Sequence, residues 1–240
     1  MYSVPLPPLP SPLAGALGRP VWNEARAPRE RARLNASAIR LDPVANERIV
    51  LVTGYMAGAS SASTLQPWLL SAGYDVCVAD VGRNAASSAH AAGRIVEALM
   101  DGDKPSILIG HSRGGQQCRV ASQRHPSRVS QLITLGAPVR MHLPRQIVLR
   151  SSIEALRVLA RLPFGPQADP EGDAVYENDL LSPFDVDVPW TTVWSKTDGI
   201  VEWQACLDER ATSLEVRCSH SGMLASVPSF EAIATVLNNR

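Results

Sequence analysis

The 240-residue sequence predicts an α/β protein, with a mostly parallel central sheet and helices on both of its faces. Three observations carry that reading. Short, continuous apolar runs rich in β-branched residues recur along the chain, the pattern of strands buried on both sides. Helical stretches separate them, as crossovers between parallel strands require. Glycines at 54, 82 and 136 close the first, second and fourth runs. A chain of this length supports one large core, so one main domain is expected.

Residues 1–47 are expected to form an N-terminal strap and one short helix. Prolines at 5, 7, 8, 10, 12 and 20 favour an extended peripheral segment, and the pattern from Asn23 to Ala38 permits a helix with Pro28 near its start. The main domain spans 48–240. Its first strand is Ile49–Thr53, followed by a helix over Ser63–Ala72, a strand over Tyr74–Ala79 and an Ala-rich helix over Ala85–Met100. Ser106–Ile109 is the third strand, with a helix over Gly114–Arg124 directly behind it, and Val129–Leu135 is the fourth. The alternation stops at about 141–189, read as an inserted cap or lid. There Arg145–Leu162 has a helical pattern, while Pro163–Pro189 is rich in Pro, Asp and Gly and no element is read within it. Strands at Trp190–Trp194 and Leu214–Cys218 and a helix over Phe230–Leu237 complete the chain, which has no internal repeat.

Hydrophobic residues make up 45% and charged residues 19% of the chain, as in a globular domain rather than a disordered one. Lys+Arg and Asp+Glu both number 23, so no net field draws in nucleic acid or an anionic membrane, and a neutral small molecule fits better as partner. The Arg-rich stretch Arg26–Arg40, relieved by Glu24, Glu30 and Asn35, reads as a solvated helix face. Cys77, Cys118, Cys206 and Cys218 show no C-x-x-C spacing, so no metal site is expected. Cys77 and Cys118 read as structural thiols. No run of about 18 apolar residues is present to span a membrane. The N-terminus has no basic n-region and its prolines break any apolar h-region, so a cytoplasmic location is expected.

Gly110-His111-Ser112-Arg113-Gly114 matches G-x-S-x-G, a sharp strand-to-helix corner that lifts a serine hydroxyl clear of the backbone. Gly110 and Gly114 are required because side chains there would collide at so tight a turn. The pentapeptide is common in itself. Its specificity comes from its place, directly between an apolar run and a helix. Two other uses of such a turn are a helix-capping serine and a phosphate-binding loop, and the second is weakened because neither G-x-x-x-x-G-K-[ST] nor G-x-G-x-x-G is present.

A serine nucleophile needs an imidazole to take its proton. His90 precedes the turn, His111 lies inside it, and His125 and His142 follow too soon; His220, in Ser219-His220-Ser221-Gly222, alone stands after the last strand. The orienting acid should follow the preceding strand, and Asp198 is four residues beyond Trp194. Asp185 and Asp187 lie at the wrong end of that strand, Asp208 and Glu209 in an expected helix, and the plainer role for Asp198 is a turn before Gly199. Two backbone donors should form an oxyanion hole: Arg113, after the nucleophile, and Tyr55 or Met56 in the loop after the first strand.

With these residues in view, the chain resembles the α/β-hydrolase superfamily, and more narrowly bacterial lipase/esterase-like serine hydrolases with a P-G-F-type oxyanion loop. The likeness rests on Val52–Gly58, Val81–Asn84, Gly110–Gly115, Thr134–Pro138, Ser195–Cys206 and Ser219–Gly222, which lie within roughly 48–240. S-K-T-D-G-I-V-x-W-Q-A-C followed by S-H-S-G is far more specific than the turn alone. The resemblance implies the α/β-hydrolase fold, a catalytic triad of Ser112, Asp198 and His220, and carboxylic-ester hydrolysis without a cofactor; it does not carry over a substrate, and the expected partner is a small ester with an apolar acyl group. A thioesterase or acyltransferase would use the same triad. A non-catalytic binding protein of this fold would usually lack a triad member, and none is missing here. Thr53-Gly54 stands where many hydrolases have His-Gly, which is expected to remove a side-chain hydrogen bond that braces the oxyanion loop. The cap residues Ile147, Val148, Leu149, Ile153, Leu156, Val158 and Leu159 offer an apolar stripe, either to line an acyl pocket or to pack as structure.

Overall fold

The computed structural model describes residues 6–9, 21–44, 47–85, 87–141 and 169–239. The strands are β1 (Arg48–Val52), β2 (Asp75–Val78), β3 (Ser106–His111), β4 (Val129–Leu135), β5 (Trp190–Trp194) and β6 (Thr212–Glu215). The helices are α1 (Ala27–Asn35), α2 (Leu65–Ser71), α3 (Ser88–Met100), α4 (Arg113–Arg124), α5 (Pro170–Leu181) and α6 (Val227–Asn238), and a 3-10 turn, Val21–Arg26, leads into α1. The strands form one sheet in the order β2-β1-β3-β4-β5-β6, with every pairing parallel.

Period-two alternation divides the core between the faces. Ile49, Leu51, Ile107 and Ile109 pack with Leu34 of α1, Leu65 and Leu69 of α2, and Phe230 and Ile233 of α6. Val50, Val52, Leu108 and Leu132 turn the other way, onto Ile95 and Leu99 of α3 and Cys118 and Ala121 of α4. The chain leaves β1 for β2 on one side, then crosses back to β3 on the other. That reversal falls between β1 and β3, and open parallel sheets bind ligands at the carboxyl ends of the strands at such a point.

Three sequence expectations are corrected. The stretch after Pro163 holds a helix, α5: Asp169 caps it by accepting from the Gly172 amide at 2.9 Å, Pro170 opens it, and Tyr176 and Leu180, four residues apart, pack on Ala92 and Val120. Asp208 and Glu209 lie in a turn rather than a helix, because Asp208 accepts from the Arg210 amide at 2.9 Å. β6 ends at Glu215, short of Cys218, whose amide and carbonyl are instead bonded to the Ser195 hydroxyl at 3.3 and 2.9 Å. Elsewhere the ends shift by up to four residues: β3 runs on to His111 and α6 begins at Val227, while α3 starts at Ser88 because the Ser87 side chain caps it. The Arg145–Leu162 helix and the apolar stripe of the cap lie outside the described residues.

All four cysteines are free, including Cys206 and Cys218. Burial raises the Cys218 thiol to about 12. Among the described residues no helix is long and apolar enough to cross a membrane, and no group of His, Cys, Asp and Glu could hold a metal ion.

Candidate active site

Ser112 sits between β3 and α4 with φ 54° and ψ −124°, a conformation that costs a non-glycine residue about 1–3 kcal/mol and persists only where its surroundings impose it. The surroundings here are backbone. A Cβ at Gly110 would lie 2.6 Å from the Gly115 Cα, and one at Gly114 would lie 2.5 Å from the Val52 carbonyl oxygen. Gly115, within the resemblance but given no role from the sequence, is equally constrained: its Cβ would meet the Ala137 Cβ at 2.5 Å. The Ser112 amide donates to the Leu135 carbonyl at 2.9 Å, while its side chain makes no capping bond to α4. That argues against the helix-capping role.

His220 and Asp198 meet in the core, 8% and 1% exposed, with Nδ1 and Oδ2 2.7 Å apart. The other carboxylate oxygen of Asp198 accepts from the amides of Ile200 and Val201 at 2.8 and 2.7 Å. These bonds fix the rotamer of the acid and leave one oxygen for the imidazole, so Nδ1 carries the proton and Nε2 is the free basic nitrogen. Burial pulls the His220 pKa down, but the Asp198 charge and hydrogen bond, with a contribution from Glu24, outweigh it, and the imidazole titrates above its ordinary value.

Gly136, just past β4, joins the pair to the serine corner. Its φ is +54°, and a Cβ there would stand 3.2 Å from Asp198 Oδ2 and 3.3 Å from His220 Nδ1. His111 forms a second link: its ring centroid is 4.6 Å from that of His220, and its Nε2 donates to the His220 carbonyl at 3.1 Å. Ser112, Asp198 and His220 thus come from the carboxyl ends of β3, β5 and β6, gathered around the end of β4.

Gly54 packs against the serine corner, since a Cβ there would lie 3.0 Å from the Ser112 Cβ. Tyr55 and Met56 form the turn closed by the Ala57 amide on the Gly54 carbonyl at 3.2 Å, with Met56 at φ 57°. The loop has its brace after all. The Thr53 hydroxyl donates to the Ala57 carbonyl at 2.8 Å, and the buried Asn84 amide donates to the Thr53 carbonyl at 2.8 Å while pairing reciprocally with Gln117. Arg113, at the start of α4, extends its guanidinium over the Tyr55 ring, 5.9 Å from its centroid, and donates to the Asn84 carbonyl and the Ser88 hydroxyl. From the sequence Gly136 reads only as closing a strand, His111 is set aside as the base, and Asn84 is given no role, although each lies in a stretch carrying the resemblance.

The fold and this strand-end constellation define an α/β-hydrolase-fold protein. A family model described as alpha/beta hydrolase fold matches residues 47–150. The chain is similar to the structure of metagenome-derived lipolytic enzymes LipS and LipT, at 16% identity and TM-score 0.59, over 83% of this chain and 96% of that one. It is also similar to a pyrethroid hydrolase from Sphingobium faniae JZ-2, at 19% identity and TM-score 0.56 over 80% and 98%. A thioesterase domain from the curacin biosynthetic pathway is similar at 14% identity and TM-score 0.55, over 80% and 90%. No curated protein matches the chain.

Proposed function

We propose that the protein is a serine hydrolase that cleaves small carboxylic esters through an acyl-enzyme on Ser112, with His220 as base and Asp198 as its orienting acid. The observation that carries this reading is the buried 2.7 Å Asp198–His220 pair, whose imidazole lies 4.6 Å from the ring of His111, next in the chain to a serine held at φ 54° on a strand-to-helix corner. Asp198 accepts from Nδ1–H, which leaves His220 Nε2 to take the Ser112 proton as Oγ attacks the acyl carbon. The oxyanion is met by the Arg113 amide and by Tyr55 or Met56, each donor contributing about 3 kcal/mol in the transition state. His220 then returns the proton to the leaving alcohol, and in the second half-reaction it activates water to release the acid. Lipolytic, pyrethroid-hydrolysing and thioesterase structures share the fold, and the ester reading draws on the first two.

A fluorophosphonate probe followed by peptide mapping tests the assignment. Ser112 should carry the label, and His220→Ala should abolish both labelling and turnover of short p-nitrophenyl esters while the protein stays folded. A label elsewhere, or turnover at the wild-type rate in His220→Ala, would overturn it. Parallel assays on oxygen esters and thioesters, with water and alcohol as competing acceptors, identify the acyl group and acceptor.

A further inference from the structure

Glu24 and Glu30, which read in the sequence as charges relieving a solvated arginine face, both turn toward the loops that carry the acid and the base. Glu24 Oε1 accepts from the amides of His220 at 2.8 Å and Gly199 at 3.1 Å. Its Oε2 accepts from the amide and the hydroxyl of Ser221, both at 3.0 Å. Glu30, with its side chain only 11% exposed, accepts from the Ser219 amide at 3.0 Å and from the Ser219 hydroxyl. Asn23 adds a bond from its side-chain amide to the Thr197 carbonyl at 3.1 Å. Thus His220, both its neighbours, and both neighbours of Asp198 are held by side chains from one short stretch of the N-terminal segment. A Cβ at Gly222 would overlap Glu30 Oε2, so the glycine that closes S-H-S-G leaves room for this carboxylate.

We propose that Glu24 and Glu30 are positioning residues of the hydrolytic site, a two-carboxylate clamp through which the N-terminal segment sets the placement of His220 and Asp198. The inference rests on the triad reading above. Charge-assisted bonds to backbone amides are short and directional, and a fixed catalytic geometry needs such supports around the groups that react. Neither carboxylate touches the reacting atoms. Their effect passes through the two loops, so loosening them lowers kcat more than it raises KM. The charged and titratable groups facing His220 are Asp198 from the loop after β5, His111 from β3 and Glu24 from the turn before α1. Glu30 lies one residue away, paired with Arg26 at 3.9 Å. Neutralising Glu24 removes a negative charge that favours the protonated imidazole, so the acid limb of kcat/KM should move to lower pH.

The experiment begins with fluorophosphonate labelling of the wild-type chain, since absence of label at Ser112 overturns the triad reading itself. With Ser112 labelled, Glu24→Gln should lower kcat about tenfold with KM little changed, and shift the acid limb down by about half a unit. Glu30→Gln and Gly222→Ala should each lower kcat, and their double variant should lose no more than the worse single, because both displace the same carboxylate. Amide exchange in the wild-type protein provides a readout independent of variant folding: the amides of Gly199, Ser219, His220 and Ser221 should be protected. Labelled Ser112 with wild-type kcat and an unmoved acid limb in Glu24→Gln, or with these four amides exchanging at open-loop rates, overturns the clamp and leaves the triad standing.

Discussion

His111 offers the sharpest test of how the site is wired. Its Nε2–H donates to the His220 carbonyl at 3.1 Å, so in the neutral ring Nδ1 is the lone-pair nitrogen; that atom is buried, faces Gly54 and has no donor among the described residues. A second proton at Nδ1 would therefore place an unsolvated charge beside the nucleophile. Burial, with His220 adding, lowers the His111 pKa from 6.5 to about 3, against a smaller opposing effect of the bond to His220. Because the folded pKa is depressed, the unfolded chain binds the proton first as pH falls. The stability contribution is full above pH 6.5 and is lost toward pH 3, at about 1.4 kcal/mol per unit. Between pH 7.5 and pH 5 the loss comes to about 2 kcal/mol. His111→Gln keeps an N–H donor for the His220 carbonyl and does not titrate. Urea unfolding at the two pH values should show the wild type losing about 2 kcal/mol more than the variant on acidification. Parallel losses would refute the assignment of a buried, neutral His111.

Gly136→Ala should cost about 1 kcal/mol from its left-handed backbone and push a methyl group against both Asp198 and His220, lowering kcat about tenfold; a wild-type kcat on a p-nitrophenyl ester would count against that packing. Thr53→Val removes the 2.8 Å brace of the loop after β1, the proposed oxyanion loop, and should lower stability by about 1 kcal/mol and kcat more than KM, as steady-state kinetics and thermal melts can read. Arg119 is 2% exposed, donates to the Leu180 and Ser182 carbonyls and the Gln123 side chain, and stands 3.7 Å from Asp208. Arg119→Met should cost about 3 kcal/mol in urea unfolding, and an unchanged midpoint would show that this network is not holding α4 to the carboxyl end of α5.

Strand positions were legible because period and composition are local: β4 and β5 have the ends that their apolar runs predict, and β1 and β2 differ from expectation only at their ends. The proposed triad of Ser112, Asp198 and His220 could be picked out because each follows a strand closely, in a fixed chain order. What the sequence hid depends on distance along the chain. The bonds from Glu24 to Gly199 and His220 span 175 and 196 residues, and neither period nor motif marks a carboxylate that turns inward. α5 was hidden for the opposite reason: its Pro, Asp and Gly are loop residues by composition, yet here Asp169 and Pro170 are the cap and first residue of a helix. The loss of the bracing bond at Thr53 was misjudged because a threonine hydroxyl can reach a carbonyl four residues on.

The two strands that bound the sheet are also its shortest. β2 and β6 have four residues each, against seven in β4, and Asp75 and Glu215 put carboxylates on those outer strands. A rim that short, carrying charge, is a poor template for recruiting a strand from another copy, and it keeps a sheet built from bare apolar runs from extending into an aggregate.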